Sequence, residues 1–91
     1  MTVRLSVEET YLIALKSLPP DRQRGANAAL GKFMRSPELP SLRFRPLEGR
    51  PGYFIINPAR GDRIILRKEG DDQFAAIDVG PHDNVYRRWD R

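Results

Sequence analysis

The stretch Val79-Gly80-Pro81-His82-Asp83-Asn84-Val85-Tyr86-Arg87 holds the only histidine of the chain and places a tyrosine four residues after it. Gly80-Pro81 interrupts the strand pattern before it. In a helix that follows, positions 82 and 86 share one face, with their Cβ atoms about 5–6 Å apart. An imidazole, a phenol and the Arg87 guanidinium would then surround one phosphate. A tyrosine that docks the chain end beside a solvated histidine has the same pattern, so both interpretations stay open.

Upstream of this stretch, hydrophobic residues recur with period two, which is typical of half-buried strands. Turn residues such as Gly49, Pro51 and Gly61 separate the segments. The pattern predicts an antiparallel four-stranded sheet. Its strands are expected at Leu42–Leu47, Tyr53–Asn57, Arg63–Arg67 and Phe74–Val79.

The N-terminal part has helical periodicity instead. Ser6-Val7-Glu8-Glu9 resembles a capping box for a helix that runs to about Leu18. A second helix is expected from Pro20 to the stop at Ser36-Pro37. Thr2 to Leu5 are compatible with a short first strand. We therefore predict an α+β fold in which a helical hairpin covers one sheet face, the other face stays open for a ligand, and a short helix ends the chain.

Length and composition bound the class of protein. A chain of 91 residues is expected to be a single domain over residues 1–91. It has no cysteine, which excludes a disulfide framework and a zinc knuckle. No apolar run approaches the ~18 residues of a membrane span, and there is no signal-peptide pattern. We expect no membrane association and a cytoplasmic location.

The positive charge is concentrated in the middle of the chain. The formal net charge is +4 and the sequence pI is about 10.0. Residues 41–70 carry seven basic and three acidic side chains, and the rest of the chain is balanced. Most of the basic residues are arginines, which bind phosphate through two N–H groups at once. This pattern favours a polyanion-binding face, although a solvated basic surface has the same composition.

The order of these elements resembles the RelE/ParE superfamily of bacterial toxins, and RelE-type mRNA interferases most closely. The resemblance rests on four segments in compatible order: the helical hairpin with Leu18-Pro19, Leu47-Glu48-Gly49 before a strand at Gly52-Tyr53, Gly61-Asp62-Arg63-Ile64-Ile65, and the C-terminal stretch quoted above. The family ends in a similar Val-Gly-His-Arg-x-x-Val-Tyr-Arg pattern.

This resemblance implies an endoribonuclease that cuts ribosome-bound mRNA without a metal or other cofactor, through attack of the 2′-hydroxyl on the adjacent phosphorus. It also implies an antitoxin protein as partner. Arg63 and Tyr86 match functional positions of the family, and His82 lies at or next to a basic catalytic position. We therefore predict His82, Tyr86 and Arg63 as catalytic residues. The predicted nucleic-acid contacts are Arg43, Arg45, Arg60, Arg67 and Arg87.

One departure from the family keeps other functions open. The best-known RelE pattern has lysines at the positions of Phe54 and Ile56. Without them, the chain could instead be a ParE-type inhibitor of DNA gyrase or a non-catalytic binding module. Structural roles also remain open for the site residues. Arg63 could pair with Asp62 or Asp78, and Trp89 could either stack on a base or anchor the chain end.

Overall fold

The computed structural model describes residues 2–58 and 61–89. Over this part of the chain, five strands and three α-helices follow one another, with a short 3-10 turn at Pro40–Leu42. They are β1 (Arg4–Val7), α1 (Glu9–Lys16), α2 (Pro20–Arg35), β2 (Arg45–Pro46), β3 (Tyr53–Ile56), β4 (Asp62–Gly70), β5 (Gln73–Pro81) and α3 (His82–Trp89). Among the described residues, none of the helices has the length and apolar character needed to cross a membrane.

The strands form one mixed sheet in the order β1-β5-β4-β3-β2. β2 to β5 pair antiparallel, as predicted. The prediction of a purely antiparallel four-stranded sheet is nevertheless incomplete, because β1 adds a fifth strand parallel to β5. The reason lies in β5, whose residues 74–80 are all buried and therefore need a partner on each side.

The predicted capping box at Ser6 is wrong. Ser6 lies in β1 opposite Ala75, and α1 begins only at Glu9. No side chain caps this helix, since the preceding residue, Glu8, makes no capping hydrogen bond. The pairing of β1 with β5 continues the extended backbone past the Ser6 position and so overrides the local helix signal. The start of the second helix at Pro20 is as predicted.

The first predicted strand of the meander, Leu42–Leu47, shrinks to the two residues of β2. Leu42 ends a 3-10 turn, and Arg43 adopts left-handed backbone angles (φ 52°, ψ 46°) that no strand tolerates. Beyond Pro46, the Leu47 N–H still donates to the Tyr53 carbonyl (2.9 Å), and the turn before β3 follows. Pro46 has no N–H group, which is tolerated because β2 is the edge strand of the sheet.

The main core lies between the sheet and the two N-terminal helices, and the predicted hairpin supplies most of it. Tyr11 and Leu15 of α1 pack with Phe33 of α2 against Ile64 and Leu66 of β4. Rings of Phe44, Phe54 and Phe74 surround Phe33, with centroids 5.1–5.8 Å apart. Apolar burial of this kind is the dominant favourable term in folding.

The opposite face of the sheet is not open along its whole length, contrary to our expectation. α3 packs across it and buries Val85 completely against Ile65 and Ala75. Tyr53, Tyr86 and Trp89 complete this second, smaller cluster. This face stays accessible at a cleft between β2 and α3.

Candidate active site

A β-bulge in β5 fixes α3 on the sheet. Ile65 pairs with Asp78 and Leu66 with Ala76, so Ile77 is an extra residue in β5. The bulge puts Ile77 and Asp78 on the same face, under α3. The Asp78 carboxylate then accepts hydrogen bonds from Arg88 Nε (2.8 Å), Arg88 Nη2 (3.0 Å) and Trp89 Nε1 (2.8 Å). Trp89 thus anchors the chain end, which was one of the two roles we had considered for it.

α3 brings the predicted imidazole and phenol together. The His82 and Tyr86 rings lie one helical turn apart and meet edge to face, with centroids 4.5 Å apart. His82 Nδ1 lies 3.0 Å from Asp83 Oδ1. An ionised carboxylate can only accept, so Nδ1 carries the proton in this contact. In the neutral form of the ring with this tautomer, Nε2 is an acceptor.

Arg45 joins the sheet edge to this pair of rings. Its Nη2 donates to the Tyr86 hydroxyl oxygen (3.2 Å), while Nη1 donates to Asn57 Oδ1 (3.1 Å) and to the carbonyl of Arg43 (2.5 Å). Sequence reasoning predicted Arg45 only as a nucleic-acid contact and treated Asn57 as the end of a strand. No local sequence signal relates these residues, because three separate segments supply them.

Arg63 lies on the same sheet face but does not touch the two rings. Arg63 pairs with Gly80 in the ladder, two residues along β4 from Ile65, which faces α3. Its Nη1 donates to the backbone oxygen of Asp62 (2.8 Å), and its buried Nε has no partner among the described residues. The alternative role in an ion pair is not realised: Asp62 binds Arg22 and Asp78 binds Arg88. Among the described residues, the Arg63 guanidinium is therefore not bound by a carboxylate.

The other predicted cations are dispersed. Arg43 and Arg87 are exposed near the two ends of the cluster, at the left-handed turn and in the last turn of α3. Arg67 lies four residues along β4 from Arg63 and contacts Glu69 (2.6 Å) and Glu8 (3.4 Å). The Glu69 hydrogen bond raises the pKa of Arg67. Arg60 lies outside the described residues.

The missing lysines of β3 have a structural explanation. Phe54 and Ile56 point into the helix-side core, so a cation at either position could not reach Tyr86. The residues of this segment that face α3 are Tyr53, Ile55 and Asn57. None of them is charged, and the positive charge next to Tyr86 comes from Arg45 on the neighbouring strand.

A cleft of about 290 Å³ opens beside this cluster, between β2 and α3. Its lining includes Arg45, Tyr86 and Trp89, together with Leu47, Glu48 and Ile55. Its volume is near the lower end for ligand pockets in proteins. Over the described residues, no group of three His, Asp or Glu side chains is arranged to hold a metal ion.

Solved structures with the same architecture are bacterial and archaeal toxins. A double mutant of the toxin RelE from E. coli in the free state superposes with a TM-score of 0.70 at 21% identity, over 96% of this chain and 93% of that one. The RelB-RelE antitoxin-toxin complex from Methanococcus jannaschii gives 0.72 at 18% identity (92% and 98% covered). The DinJ-YafQ toxin-antitoxin complex from E. coli gives 0.73 at 14% identity (94% and 99% covered). No protein-family model and no curated protein matches the sequence.

These likenesses define the class of fold, a small α+β domain with a mixed sheet between helices. More specifically, the chain has the RelE-type toxin fold, as its sequence pattern predicts. The similar structures described above are RelE and YafQ toxins. They lend no support to the ParE-type alternative.

Proposed function

We propose that the chain is the toxin of a type II toxin–antitoxin system and cleaves ribosome-associated mRNA in the cytoplasm. The observation that carries this proposal is the contact between His82 and Tyr86 with a guanidinium bound to the phenol, on a RelE-type fold. RNA cleavage by its own 2′-hydroxyl needs a base, an acid and stabilisation of the charge on the phosphorane. His82 and Tyr86 are the candidates for base and acid, and Arg63, on the same sheet face, is the candidate for charge stabilisation.

His82 is suited to the role of base. Asp83 holds the proton on Nδ1, so Nε2 is free to accept the proton of the 2′-hydroxyl. As the 2′-oxygen bonds to phosphorus, the bond from phosphorus to the 5′-oxygen breaks. The products are a cyclic 2′,3′-phosphate and a 5′-hydroxyl end. Ring contact with Tyr86 keeps the imidazole beside the group that acts on the other oxygen.

Tyr86 is suited to the role of acid, giving its proton to the departing 5′-oxygen. Arg63, which forms no ion pair with Asp62 or Asp78, would bind the non-bridging oxygens through its Nη groups where negative charge develops. Arg87, exposed on the same helix, and Arg43 would hold the flanking phosphates. The cleft between β2 and α3 would accept one base against Tyr86.

An antitoxin is the proposed protein partner, as in the toxin–antitoxin complexes that share this fold. A largely apolar groove of about 600 Å³ runs between α1 and α3, with Ile77 at its base and Arg50 on its rim. Ile13 stands exposed beside it at 61% of its full area. A helix with apolar and acidic residues would bury this surface. An Ile13→Glu variant should escape neutralisation by the antitoxin while its toxicity stays unchanged.

Cleavage is tested with purified protein, ribosomes programmed with a defined mRNA, and primer extension across the A-site codon. The wild type should cut, and His82→Ala and Tyr86→Phe should each slow single-turnover cleavage by about 10²–10⁴-fold, the usual contribution of a positioned acid or base. Asp71→Asn, in the exposed turn between β4 and β5, is the matched control. Full activity in both site variants would place the reaction elsewhere. No cutting by the wild type would leave a non-catalytic binding module.

A further inference from the structure

Arg45 is held in one orientation by three separate parts of the chain. The carbonyl of Arg43 and the amide oxygen of Asn57 occupy both hydrogens of its Nη1. Nη2 gives one hydrogen to Tyr86. The Arg43 carbonyl reaches this position because its backbone is left-handed (φ 52°), a conformation that is uncommon for residues other than glycine. An unusual backbone at the edge of a site is a reason to look for a function there.

The direction of the Arg45–Tyr86 hydrogen bond is fixed by chemistry. A guanidinium has five N–H donors and no acceptor, so the phenol oxygen must accept. The single proton of the phenol is therefore not used in this bond and is available to another acceptor. Tyr86 is half-buried and faces the cleft between β2 and α3, where that acceptor would be a group of the ligand.

We infer that Arg45 is a positioning residue that acts through Tyr86: it holds the phenol oxygen and directs the phenol proton to the 5′-oxygen of the RNA. This inference rests on the proposed function. During the step, the electrons of the breaking bond between phosphorus and the 5′-oxygen move to that oxygen, which takes the proton of Tyr86. The negative charge left on the phenol oxygen faces the Arg45 guanidinium, which neither gains nor loses a proton.

A role through Tyr86 differs measurably from direct contact with RNA phosphate. In single-turnover cleavage, Arg45→Ala should slow the wild type by roughly 10- to 100-fold, within the contribution of one positioned proton donor. In the Tyr86→Phe background, the same substitution should change the rate less than about 2-fold, because the two residues act as one unit. Equal losses in both backgrounds would overturn the inference. The same comparison in both backgrounds is made with Arg45→Lys, which keeps the positive charge and controls for a folding defect of the alanine variant.

A second readout does not depend on cleavage. The chain has three tyrosines, so ¹³Cζ-labelled tyrosine gives three signals that Tyr86→Phe and Tyr11→Phe assign. Arg45→Ala should move the Tyr86 signal and leave that of Tyr11 in place. Arg4→Ala, which removes one exposed arginine from the opposite sheet edge, should move neither. If the wild type cuts no RNA, the proposed function fails, and a shifted Tyr86 signal still supports the Arg45 contact. An unmoved Tyr86 signal overturns that contact.

Discussion

Asp78→Asn should weaken the docking of α3 on the sheet while the rest of the domain stays folded. Asp78 is 7% exposed, and its carboxylate accepts three hydrogen bonds from α3 and one from the backbone N–H of Val79. An asparagine keeps the volume but replaces one acceptor oxygen by an NH₂ group. The N–H groups of this amide would then face the N–H groups of Arg88 or Trp89, and no hydrogen bond can form between two donors.

The expected cost follows from these contacts. Hydrogen bonds to charged groups contribute about 1.5–3 kcal/mol each when buried. Because the Arg88 side chain is half exposed, solvent screens its interaction with Asp78. The contribution of its hydrogen bonds therefore lies at the low end of this range. We expect the docking of α3 to weaken by about 2 kcal/mol, which raises the undocked population about 30-fold.

Amide hydrogen exchange measures this population directly. The amides of α3 should lose about 30-fold in protection, and those of Ile64 to Leu66 in the centre of β4 should keep theirs. Asp71→Asn, in the exposed turn before β5, is the control and should change neither set. Equal loss of protection in α3 and β4 would refute the reasoning, since α3 would then not be a separately docked element. Unchanged protection in α3 would refute it as well.

Three further outcomes test the packing and the electrostatics. Leu66→Ala, at a fully buried position, should lower the free energy of unfolding by about 2–5 kcal/mol in urea titrations, and a loss below 1 kcal/mol would contradict the core assignment. Arg22→Ala leaves the buried Asp62 carboxylate without its cation. It should therefore lower Tm more than Arg24→Ala, which changes an exposed arginine of the same helix. Equal Tm values for the two variants would contradict this. Burial raises the pKa of Tyr11 to about 12 from 10.0, so unfolded chains lose this proton first and stability should fall as the pH rises from 10 to 12. Tyr11→Phe should flatten that part of the Tm profile, and an identical slope in both proteins would count against the assignment.

The elements with strong periodicity were predictable from the sequence. α2 shows its apolar stripe at helical spacing, and its start at Pro20 follows from the fixed φ of proline. β4 has the expected alternation, with Ile64 and Leu66 in the helix-side core. α3 begins directly after Pro81, close to its predicted start. The predicted break of the last strand at Gly80-Pro81 is wrong, because Gly80 and Pro81 still pair with Arg63 and Asp62 within β5. The shared face of His82 and Tyr86 follows from helical spacing alone.

Features that depend on distant pairing could not be predicted. Nothing near Ser6 signals that this segment pairs with Ala75 about seventy residues away. No sequence pattern predicts the bulge at Ile77 either, although the bulge places Asp78 on the sheet face that meets α3. The resemblance to RelE placed the family's lysines at Phe54 and Ile56, and the apolar sequence of β3 does not reveal that both residues face the helices.

The partners of the arginines were also beyond local patterns. Arg45 appeared as one of several surface cations, yet it is the residue that touches Tyr86. Arg67 appeared equivalent to it and is instead bound by Glu69. Net charge located the basic segment correctly but could not separate arginines that bind carboxylates from those that remain available for phosphate.

The most direct test of the proposed function is to map the 5′ ends of cellular mRNA after brief induction of the chain in a bacterial host. The proposed function predicts new 5′-hydroxyl ends inside the translated regions of mRNA, a parallel fall in protein synthesis and unchanged plasmid supercoiling. Tyr86→Phe, expressed to the same level, should give none of these ends. Wild-type induction that leaves the ends of translated mRNA unchanged would contradict the nuclease mechanism. The same ends in the Tyr86→Phe strain would contradict the proposed site.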